Sequence, residues 1–429
     1  MKFYKETEFQ ETEIGRIPKE WKIANLGSIA KVSSGNTAPQ DEKYFENGKY
    51  PFIRVQHLTE LQEQKYPVKY DLINEYAVSD LKLKKFKKGS IIFPKSGESI
   101  KLEKRAILKE DSYVVNHLAV IEPFHENIDN LFLFYYLCTV RTSNYLLKTT
   151  MPSLNLSTIS NFLVPVPPIK EQQMIADILS TADSAIERVD NVVARLNNLK
   201  RALMNELLTG RIRVGEENGK LTLHTETEFQ ETEIGKIPKD WEVVKLDNKE
   251  LAEIIMGQSP PSSTYNREGE GLPFLQGKME FGDVYPSPIM YCSQPIKIAE
   301  PNDILISVRA PVGDVNVAPY KLCIGRGLAA IRFNLSRTSH WFYFYYFQKI
   351  KNFLENLGKG STFKAITKED LENLKVPYPS LFEQQRIANI LSTVDRKLEV
   401  ERNEKAKLER IKQGLMDLLL TGKIRVKVN

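Results

Sequence analysis

The residue order that metal-dependent nucleases use, Pro-x-Asp followed by Glu-x-Lys, occurs at Pro39, Asp41, Glu63 and Lys65. In such enzymes the two carboxylates hold Mg²⁺ and the lysine is positioned beside the metal. A chain with 27% charged residues produces this order easily by chance, and the second half of the sequence has no counterpart. We therefore do not expect nuclease activity from these residues.

Other patterns that carry chemistry are incomplete. The segment Gly358-Lys359-Gly360-Ser361 resembles the end of a phosphate-binding loop, but Phe353 stands where the first glycine is required. The sequence has no dinucleotide-binding glycine motif, methyltransferase signature or nucleophile elbow. The five histidines are not paired at metal-ligand spacing. The three cysteines, Cys138, Cys292 and Cys323, stand alone, which fits a reducing compartment. The sequence thus predicts neither a catalytic nor a metal site.

The elements that would position any functional side chains are repeated in tandem. Residues 7–21, TEFQETEIGRIPKEW, return at 227–241 as TEFQETEIGKIPKDW. Residues 164–214 return in the same way at 376–426, with a Pro-rich entry, a Glu-Gln-Gln motif and a closing Leu-Thr-Gly-basic segment. The chain is therefore two copies of one unit, with constant ends and divergent middles.

Each repeated C-terminal segment predicts one long helix. The prolines keep the backbone out of a helix until Lys170 or Phe382, and Glu-Gln-Gln then opens a long run without proline. Apolar residues alternate at spacings of four and three, which is typical of a coiled-coil seam. The predicted seam residues are Ile175, Leu179, Ile186, Val189, Val193, Leu196, Leu203, Ile387, Leu391, Val394, Leu398, Leu408 and Leu415.

Charged residues interrupt both seams. Lys200 stands in the first seam, whereas Glu401, Lys405 and Lys412 stand in the second, whose middle we expect to be the weaker part. The natural partner of each imperfect seam is the other copy. Two separate amphipathic helices, each lying on its own domain, are the alternative, and the close repetition favours pairing.

The divergent middles predict two α+β domains. In the first half, residues 51–55 and 89–93 read as buried strands, and 113–123 reads as a strand interrupted by Asn116 and His117. The counterparts in the second half are 273–276, 302–307 and 322–332. Aromatic runs at 131–140 and 341–347 predict a packed helix in each copy, as repeated core and not as a surface for base stacking. A charged segment with two glycines, 215–224, predicts a flexible linker.

Composition limits the partners only weakly. The chain has 60 Lys and Arg against 55 Asp and Glu, a net charge of +5, which permits a nucleic-acid partner without demanding one. The sequence shows no leader at Met1, and its longest obvious apolar run is too short to span a bilayer. We expect a cytoplasmic protein with no membrane partner.

The constant segments resemble the specificity subunits of type I restriction-modification systems. The resemblance rests on five features that recur twice in order. They are the Ile-Gly-x-Ile-Pro-x-x-Trp entry, the Pro bridge, Glu-Gln-x-x-Ile, the helix and the Leu-Thr-Gly-basic end. These motifs cover about a third of the chain, whereas the resemblance in architecture covers all of it.

The resemblance implies a fold and a set of partners. Such subunits have two α+β target recognition domains, each reading one part of a bipartite double-stranded DNA sequence, separated by two long antiparallel coiled-coil helices in a pseudo-twofold internal repeat. They have no cofactor of their own. S-adenosylmethionine, ATP and Mg²⁺ belong to the modification (methyltransferase) and restriction (translocase and nuclease) subunits, and the constant helices and their ends contact the modification subunits.

The resemblance also implies domain boundaries. The first recognition domain with its constant segment takes 1–165, the central helix 166–214, a linker 215–226, the second recognition domain 227–378, and the C-terminal helix and tail 379–429.

Base reading requires donors and acceptors beside strands. We expect DNA contacts from polar and basic loop residues that recur between the halves. These candidates are Gln56, His57, Lys95, Ser96, Asn116, His117, Gln276, Lys278, Arg309, Arg326, Lys359 and Lys364.

Two other functions remain open from the sequence. A coiled-coil scaffold whose middles bind protein would explain the helices, and a salt titration of DNA binding would separate it from a DNA reader. An unpaired specificity protein exchanged between complexes would share every motif, and the neighbouring genes would distinguish it.

Overall fold

A computed structural model describes residues 2–59, 65–67, 69–124, 126–146, 152–357 and 365–427. The first half of the chain forms strands β1 (Lys2–Lys5), β2 (Phe9–Thr12), β3 (Gly15–Pro18), β4 (Lys22–Asn25), β5 (Ala30–Ser34), β6 (Tyr50–Ile53), β7 (Asp71–Ile73), β8 (Ile91–Pro94), β9 (Ala106–Ile107), β10 (Tyr113–Val114), β11 (Leu118–Pro123), β12 (Leu163–Val166), β13 (Ile212–Glu217) and β14 (Lys220–Thr225). Its helices are α1 (Leu26–Ile29), α2 (Val55–Thr59), α3 (Glu75–Asp80), α4 (Asn130–Thr139), α5 (Leu156–Ser160) and α6 (Ile169–Leu207).

The second half repeats this order. Its strands are β15 (Phe229–Thr232), β16 (Gly235–Pro238), β17 (Glu242–Lys245), β18 (Ala252–Met256), β19 (Tyr265–Asn266), β20 (Leu272–Leu275), β21 (Met290–Cys292), β22 (Ile298–Ala299), β23 (Ile304–Ser307), β24 (Val315–Val317), β25 (Leu322–Ile324), β26 (Leu328–Phe333), β27 (Lys375–Tyr378) and β28 (Ile424–Lys427). Its helices are α7 (His340–Lys349), α8 (Lys351–Leu357), α9 (Lys368–Glu372) and α10 (Leu381–Leu419). The predicted α+β class and the two long helices are confirmed.

The chain divides into two compact units. The first unit comprises Met1–Val192 and Glu401–Asn429, and the second comprises Val193–Val400. This division cuts both long helices, whereas the sequence-based boundaries treated each helix as a segment of its own. The helices are divided in this way because their two ends pack in different cores. The beginning of α6 and the end of α10 contribute to the core of the first unit, whereas the end of α6 and the beginning of α10 contribute to the core of the second unit.

Each unit is built on a four-stranded antiparallel sheet with two buried faces. Its order is β5-β11-β8-β9 in the first unit and β18-β26-β23-β24 in the second. In β8, Ile91 and Phe93 pack against the helices, while Ile92 faces the cluster of the smaller sheet, β10-β6-β7. Burial on both faces explains why these strands read as continuous apolar runs. The aromatic helices α4 and α7 are core, as predicted.

The Glu-Gln-Gln motif anchors each long helix to its unit. Gln172 accepts a hydrogen bond from the Asp129 amide at the start of α4 and donates to the Pro167 carbonyl, both at 2.8 Å. Gln384 makes the same two contacts with Ser339 and Pro379, also at 2.8 Å. The motif therefore fixes the angle at which each helix leaves its domain.

Charged residues in the seam form ion pairs across the two antiparallel helices. Within the first unit, Lys412 lies 2.7 Å from Asp183 and Lys405 lies 2.8 Å from Asp190. That the middle of the second seam is the weaker part remains a prediction, but these two lysines are not unpaired there, because each ammonium meets a carboxylate of α6. Within the second unit, Lys200 and Asp395 form the equivalent pair at 2.7 Å.

The predicted flexible linker was also wrong. Strands β13 and β14 form an antiparallel hairpin from Ile212 to Thr225. Its turn is Asn218-Gly219, with φ of 52° and 75°. Two consecutive positive φ values match the type I′ turn that Asn-Gly favours, because this turn has the twist of the flanking strands.

Candidate nucleic-acid interface

In the first unit, loops from four strands meet at one end of the sheet. Because β11 runs antiparallel to β5 and β8, the start of β11 lies beside the ends of the other two, with Ala119 opposite Ser34 and Leu118 opposite Pro94. Strand β10 is parallel to β6, with Val114 opposite Ile53, so the smaller sheet ends at the same place. We call residues 35–36, 54–56, 95–96 and 116–117 the first loop edge.

Most of the residues expected to contact DNA in the first half lie on this edge. The Lys95 amide donates to the His117 carbonyl at 2.9 Å, and Ser96 Oγ is 2.6 Å from His117 Nδ1. Gln56, Asn116 and His117 are exposed, whereas Lys95 and Ser96 are half-buried. The structure therefore brings together five of the six.

His57 is the exception. Its side chain is only 7% exposed, and its Nδ1 accepts a hydrogen bond from the Arg54 amide at 3.0 Å. Its Nε2 lies 3.6 Å from a carboxylate oxygen of Asp71. The short helix α2 folds this side chain into the protein, so the imidazole serves the core of the first unit.

Two groups on or beside this edge were not anticipated from the sequence. Asn36 accepts a hydrogen bond from the Lys84 amide at 2.8 Å and donates to the Lys84 carbonyl at 2.9 Å. These bonds attach the segment 82–88, which carries five lysines, to the loop edge. A run of lysines is the electrostatic signal that would have found it. Arg54 also lies here, but its guanidinium is bound to Asp71 and to the Pro39 carbonyl.

The second unit repeats the geometry with different side chains. The start of β26 lies beside the ends of β18 and β23, with Ala329 opposite Met256 and Leu328 opposite Ser307. Strand β20 is parallel to β25, with Leu275 opposite Ile324. We call residues 257–259, 276–278, 308–309 and 325–327 the second loop edge.

Four expected DNA contacts lie on the second loop edge. Gln276, Arg309 and Arg326 are exposed, and Lys278 is half-buried in an ion pair with Asp314. Burial alone would raise the pKa of Asp314, but hydrogen bonds from Lys278 and Lys351 outweigh burial and lower it. Lys359 and Lys364 lie outside the described residues. Gln258, exposed after β18, was missed because the register that brings it to this edge is not visible in the sequence.

The nuclease-like residue order is not assembled into a site. Asp41 caps a 3-10 turn and pairs with Lys43, whereas Lys65 donates to Ser180 of α6 at 2.9 Å. Glu63 lies outside the described residues. In the part of the chain that the structure describes, no three His, Cys, Asp or Glu side chains come together as ligands for a metal ion.

A buried arginine joins the constant segments of the first unit. Arg425 donates to both carboxylate oxygens of Glu171, at 2.6 and 2.8 Å, and also contacts Glu6 and Glu20. The indole of Trp21 donates to the same Glu171 at 3.2 Å. We call these five residues the first carboxylate cluster.

The second carboxylate cluster has the same design. It consists of Arg213, Glu226, Asp240, Trp241 and Glu383. The guanidinium contacts Glu383 at 2.7 and 3.0 Å, and the indole donates to Glu383 at 3.0 Å. Backbone hydrogen bonds at residue 228 and the arginine lower the pKa of Glu226 to about 2. Arg213 follows α6 of the first repeat but lies in the second unit, and Arg425 follows α10 of the second repeat but lies in the first unit. The tail of each repeat therefore packs in the unit that contains the divergent middle of the other repeat.

These features define a class: a duplicated α+β protein whose two divergent loop edges stand on one repeated frame of strands and long helices. The family described as Type I restriction modification DNA specificity domain matches residues 18–197 and 238–410. The chain belongs to this family, and it is a type I specificity subunit with two recognition domains, an organisation consistent with a bipartite DNA target. The scaffold alternative is not favoured.

Individual relatives agree with this assignment. The chain is 41% identical over 441 residues to a putative type I restriction enzyme MjaX specificity subunit of Methanocaldococcus jannaschii, covering 100% of this chain and 99% of the relative. It is 28% identical over 452 residues to the MjaVIII specificity subunit of the same organism, covering 100% and 98%.

Solved structures resemble the chain over nearly its whole length. A chain from a study of complex assembly and conformational transition of the type I R-M system has a TM-score of 0.54 and 28% identity, and the match covers 95% of this chain and 99% of that one. The S subunit of a type I system from M. genitalium has a TM-score of 0.60, with coverage of 95% and 97%; its 15% identity supports the fold alone. Among the described helices, none is both long and apolar enough to cross a membrane.

Proposed function

We propose that each loop edge reads one half of a bipartite double-stranded DNA target. The observation that supports this most is that the two edges share one strand frame but differ in nearly every exposed polar side chain. Because the shared strands hold the loop backbone at a constant position relative to the DNA groove, the side chains on these loops can be exchanged to recognise different bases. The loop edges are therefore the place where target specificity varies.

Contacts to the phosphates would position each unit on the duplex. The lysine segment 82–88 is hydrogen-bonded to the first loop edge through Asn36. Its ammonium groups supply positive charge but not the planar pair of hydrogen-bonding groups that distinguishes one base from another. Lysine acts on phosphate as a point charge, so it contributes affinity and salt dependence but not sequence preference. Asn116 and Arg309 have amide and guanidinium groups that suit base edges.

Catalysis would belong to the partners of this chain. The modification subunits would carry S-adenosylmethionine, and the restriction subunits would carry ATP and Mg²⁺, in the cytoplasm. The constant segments would contact the modification subunits. Exposed apolar residues support this placement, because β1 carries Phe3 and Tyr4 and β14 carries Leu221 and Leu223, all at least 43% exposed. Replacing Phe3 or its repeat equivalent Leu223 by glutamate should weaken co-purification with the modification subunit while leaving the fold intact.

The test is a binding selection with a randomised bipartite DNA library, using the full chain in complex with its modification subunit. Asn116→Ala should relax bases in one half of the target only, and Arg309→Ala bases in the other half only. Arg337→Ala is the matched control, since Arg337 is exposed but lies beyond the opposite end of β26. The proposal fails if each variant relaxes both halves equally, or if binding has no sequence preference and no salt dependence.

A further inference from the structure

Three long polar side chains of the second loop edge stand on adjacent, interlocked backbone segments. Hydrogen bonds connect the backbone segments that carry Gln258 and Arg326. The backbone N–H of Gln258 donates to the Ile324 carbonyl at 3.0 Å, and the backbone N–H of Arg326 donates to Ser259 Oγ at 3.2 Å. The segments that carry Gln276 and Arg326 are connected in the same way, because the backbone N–H of Gly327 donates to the backbone carbonyl of Gln276 at 3.2 Å. We call these three residues the polar triad. Arg326 stands in the middle.

Glycines allow these segments to approach more closely than side chains would. A Cβ at Gly257 would lie 2.2 Å from the carbonyl oxygen of Gly325, and one at Gly327 would lie 2.5 Å from that of Gln276. Real Cβ atoms do not come this close to backbone atoms, so both positions require glycine. The close packing fixes the three Cα positions relative to one another, which is the preorganisation that a recognition site needs.

The triad side chains are exposed, and within the described residues none is hydrogen-bonded to another protein group. The equivalent positions of the first unit differ. Asn36 is bound to the backbone of Lys84, and Arg54 is bound to Asp71. Only the third equivalent, Asn116, is exposed. At these three equivalent positions, the second unit therefore presents three available bidentate groups and the first unit presents one.

The chemistry of these groups matches particular bases. Arginine donates two hydrogen bonds to O6 and N7 of guanine, and glutamine pairs with N6 and N7 of adenine. Adjacent backbone segments are separated by about 4.8 Å, whereas stacked bases are separated by about 3.4 Å. Two such separations, about 10 Å, exceed by about 3 Å the roughly 7 Å that two base-pair steps span, and the long arginine and glutamine side chains can converge over this difference onto three neighbouring base pairs.

We propose that the polar triad reads three neighbouring base pairs of the half-site bound by the second unit, with Arg326 on a guanine and Gln258 and Gln276 on adenines of the flanking pairs. This inference rests on the proposed function and adds the identity of the bases. The bound half-site therefore has a G·C pair between two A·T pairs, with each purine on either strand.

The experiment exchanges one base preference for another. The full chain in complex with its modification subunit selects sequences from a randomised library, as wild type and as Arg326→Gln, Arg326→Lys, Gln258→Glu and Gln276→Glu. Arg326→Gln should change the middle preference from guanine to adenine, while Arg326→Lys should keep guanine. Each glutamate should change one flanking preference from adenine to cytosine, because a carboxylate accepts from cytosine N4. The original base should lose about 5- to 150-fold in preference.

Two internal controls separate the possible failures. The half-site of the first unit should be unchanged in every triad variant, and Arg337→Gln should behave as wild type. If the wild type selects both half-sites but Arg326→Gln leaves every base preference in place, or relaxes all of them together, the triad assignment is wrong while the proposed function stands. If the wild type selects no sequence at all, both are wrong. A thermal melt of each variant checks that it is folded.

Discussion

At the scale of single residues, the first carboxylate cluster makes the sharpest stability prediction. The Arg425 and Glu171 side chains are 4% and 2% exposed and form a bidentate pair. Removing one partner of such a pair leaves a buried charge without compensation, which costs about 3 to 5 kcal/mol. We expect Arg425→Met to lower the free energy of unfolding by this amount, measured in urea, and Arg213→Met to do the same in the second cluster.

A matched control tests whether burial causes this effect. Arg16 pairs with Glu11, but their side chains are 66% and 81% exposed. An exposed ion pair contributes at most about 1 kcal/mol. Arg16→Met should therefore have little effect, and an Arg425→Met variant as stable as Arg16→Met would contradict the buried-pair account.

His340, the first residue of α7, predicts a pH dependence. Burial lowers its pKa to about 4, and its Nε2 has no hydrogen-bond partner among the described residues. Because the folded pKa lies below the ordinary value of about 6.5, the unfolded chain binds a proton first as the pH falls. The contribution to stability is full above about pH 6.5 and is lost as the pH falls toward 4, by roughly 3 kcal/mol.

The first repeat supplies the variant that tests this prediction. Asn130 occupies the equivalent first position of α4. His340→Asn should remove the contribution of this histidine to the pH dependence of the free energy of unfolding. The difference in this free energy between wild type and variant, measured in urea, should therefore change between pH 7 and pH 4.5. A difference that is the same at both pH values would show that the histidine does not titrate in this range on unfolding.

The residues on the loop edges were predictable to a limited degree. Asn116 and Arg326 could be found because each interrupts an apolar strand with a polar pair or an arginine. His57 could not be assigned correctly, since a polar residue after a strand reads the same whether a helical turn buries it or leaves it exposed. Gln258 was missed because its place beside Arg326 depends on the pairing of β18 with β26, a contact between residues far apart in sequence.

At the scale of elements, we expect the ion pairs of the seam to contribute to the stability of the paired helices. Lys200 and Asp395 are 19% and 18% exposed, and Tyr345 also donates to Asp395, at 2.8 Å. Lys200→Met should destabilise the second unit by about 1 to 3 kcal/mol, because the half-buried carboxylate loses its cation.

Charge exchange separates the ion pair from simple packing. The double variant Lys200→Asp with Asp395→Lys should recover part of the loss shown by each single variant, and a double-mutant cycle in urea gives the coupling. Additive effects of the two changes would mean that the residues do not interact and that the seam is held by apolar packing alone.

The sequence indicated the elements better than their polar contacts. Proline and Glu-Gln-Gln set the helix starts within one residue, because they act locally on the backbone. The ion pairs of the seam lysines could not be read from the sequence, because their carboxylate partners lie on the other long helix. The β13–β14 hairpin was overlooked although Asn218-Gly219 is a strong local turn signal, since the surrounding charges suggested a linker.

At the scale of the whole molecule, the duplication predicts how fragments behave. A fragment of residues 1–214 lacks Arg425 and β28, but its own tail carries Arg213 and the segment equivalent to β28. Two copies could exchange tails, so that Arg213 of each copy takes the place of Arg425 against Glu171 of the other. The apolar seam left uncovered in one copy also favours association.

The repeat equivalences specify which fragment dimerises. Asp183 and Lys200 of the first repeat correspond to Asp395 and Lys412 of the second, so each half contains both partners of this ion pair. Asp190 and Lys405 do not share this property. The residue equivalent to Lys405 is Val193, and the residue equivalent to Asp190 is Arg402.

Self-pairing of the second half would therefore place Lys405 opposite Arg402, whereas self-pairing of the first half would place Asp190 opposite Val193. Like charges in a half-buried seam repel, so we expect residues 1–214 to form a dimer and residues 215–429 to associate more weakly in analytical ultracentrifugation. Arg402→Asp in the second fragment should restore the Asp–Lys pair and strengthen its association.

With the modification subunit, the dimer of residues 1–214 should methylate an interrupted palindrome built from one half of the native target. A monomeric first fragment, or an Arg402→Asp fragment that associates no better than its parent, would show that these ion pairs do not govern pairing.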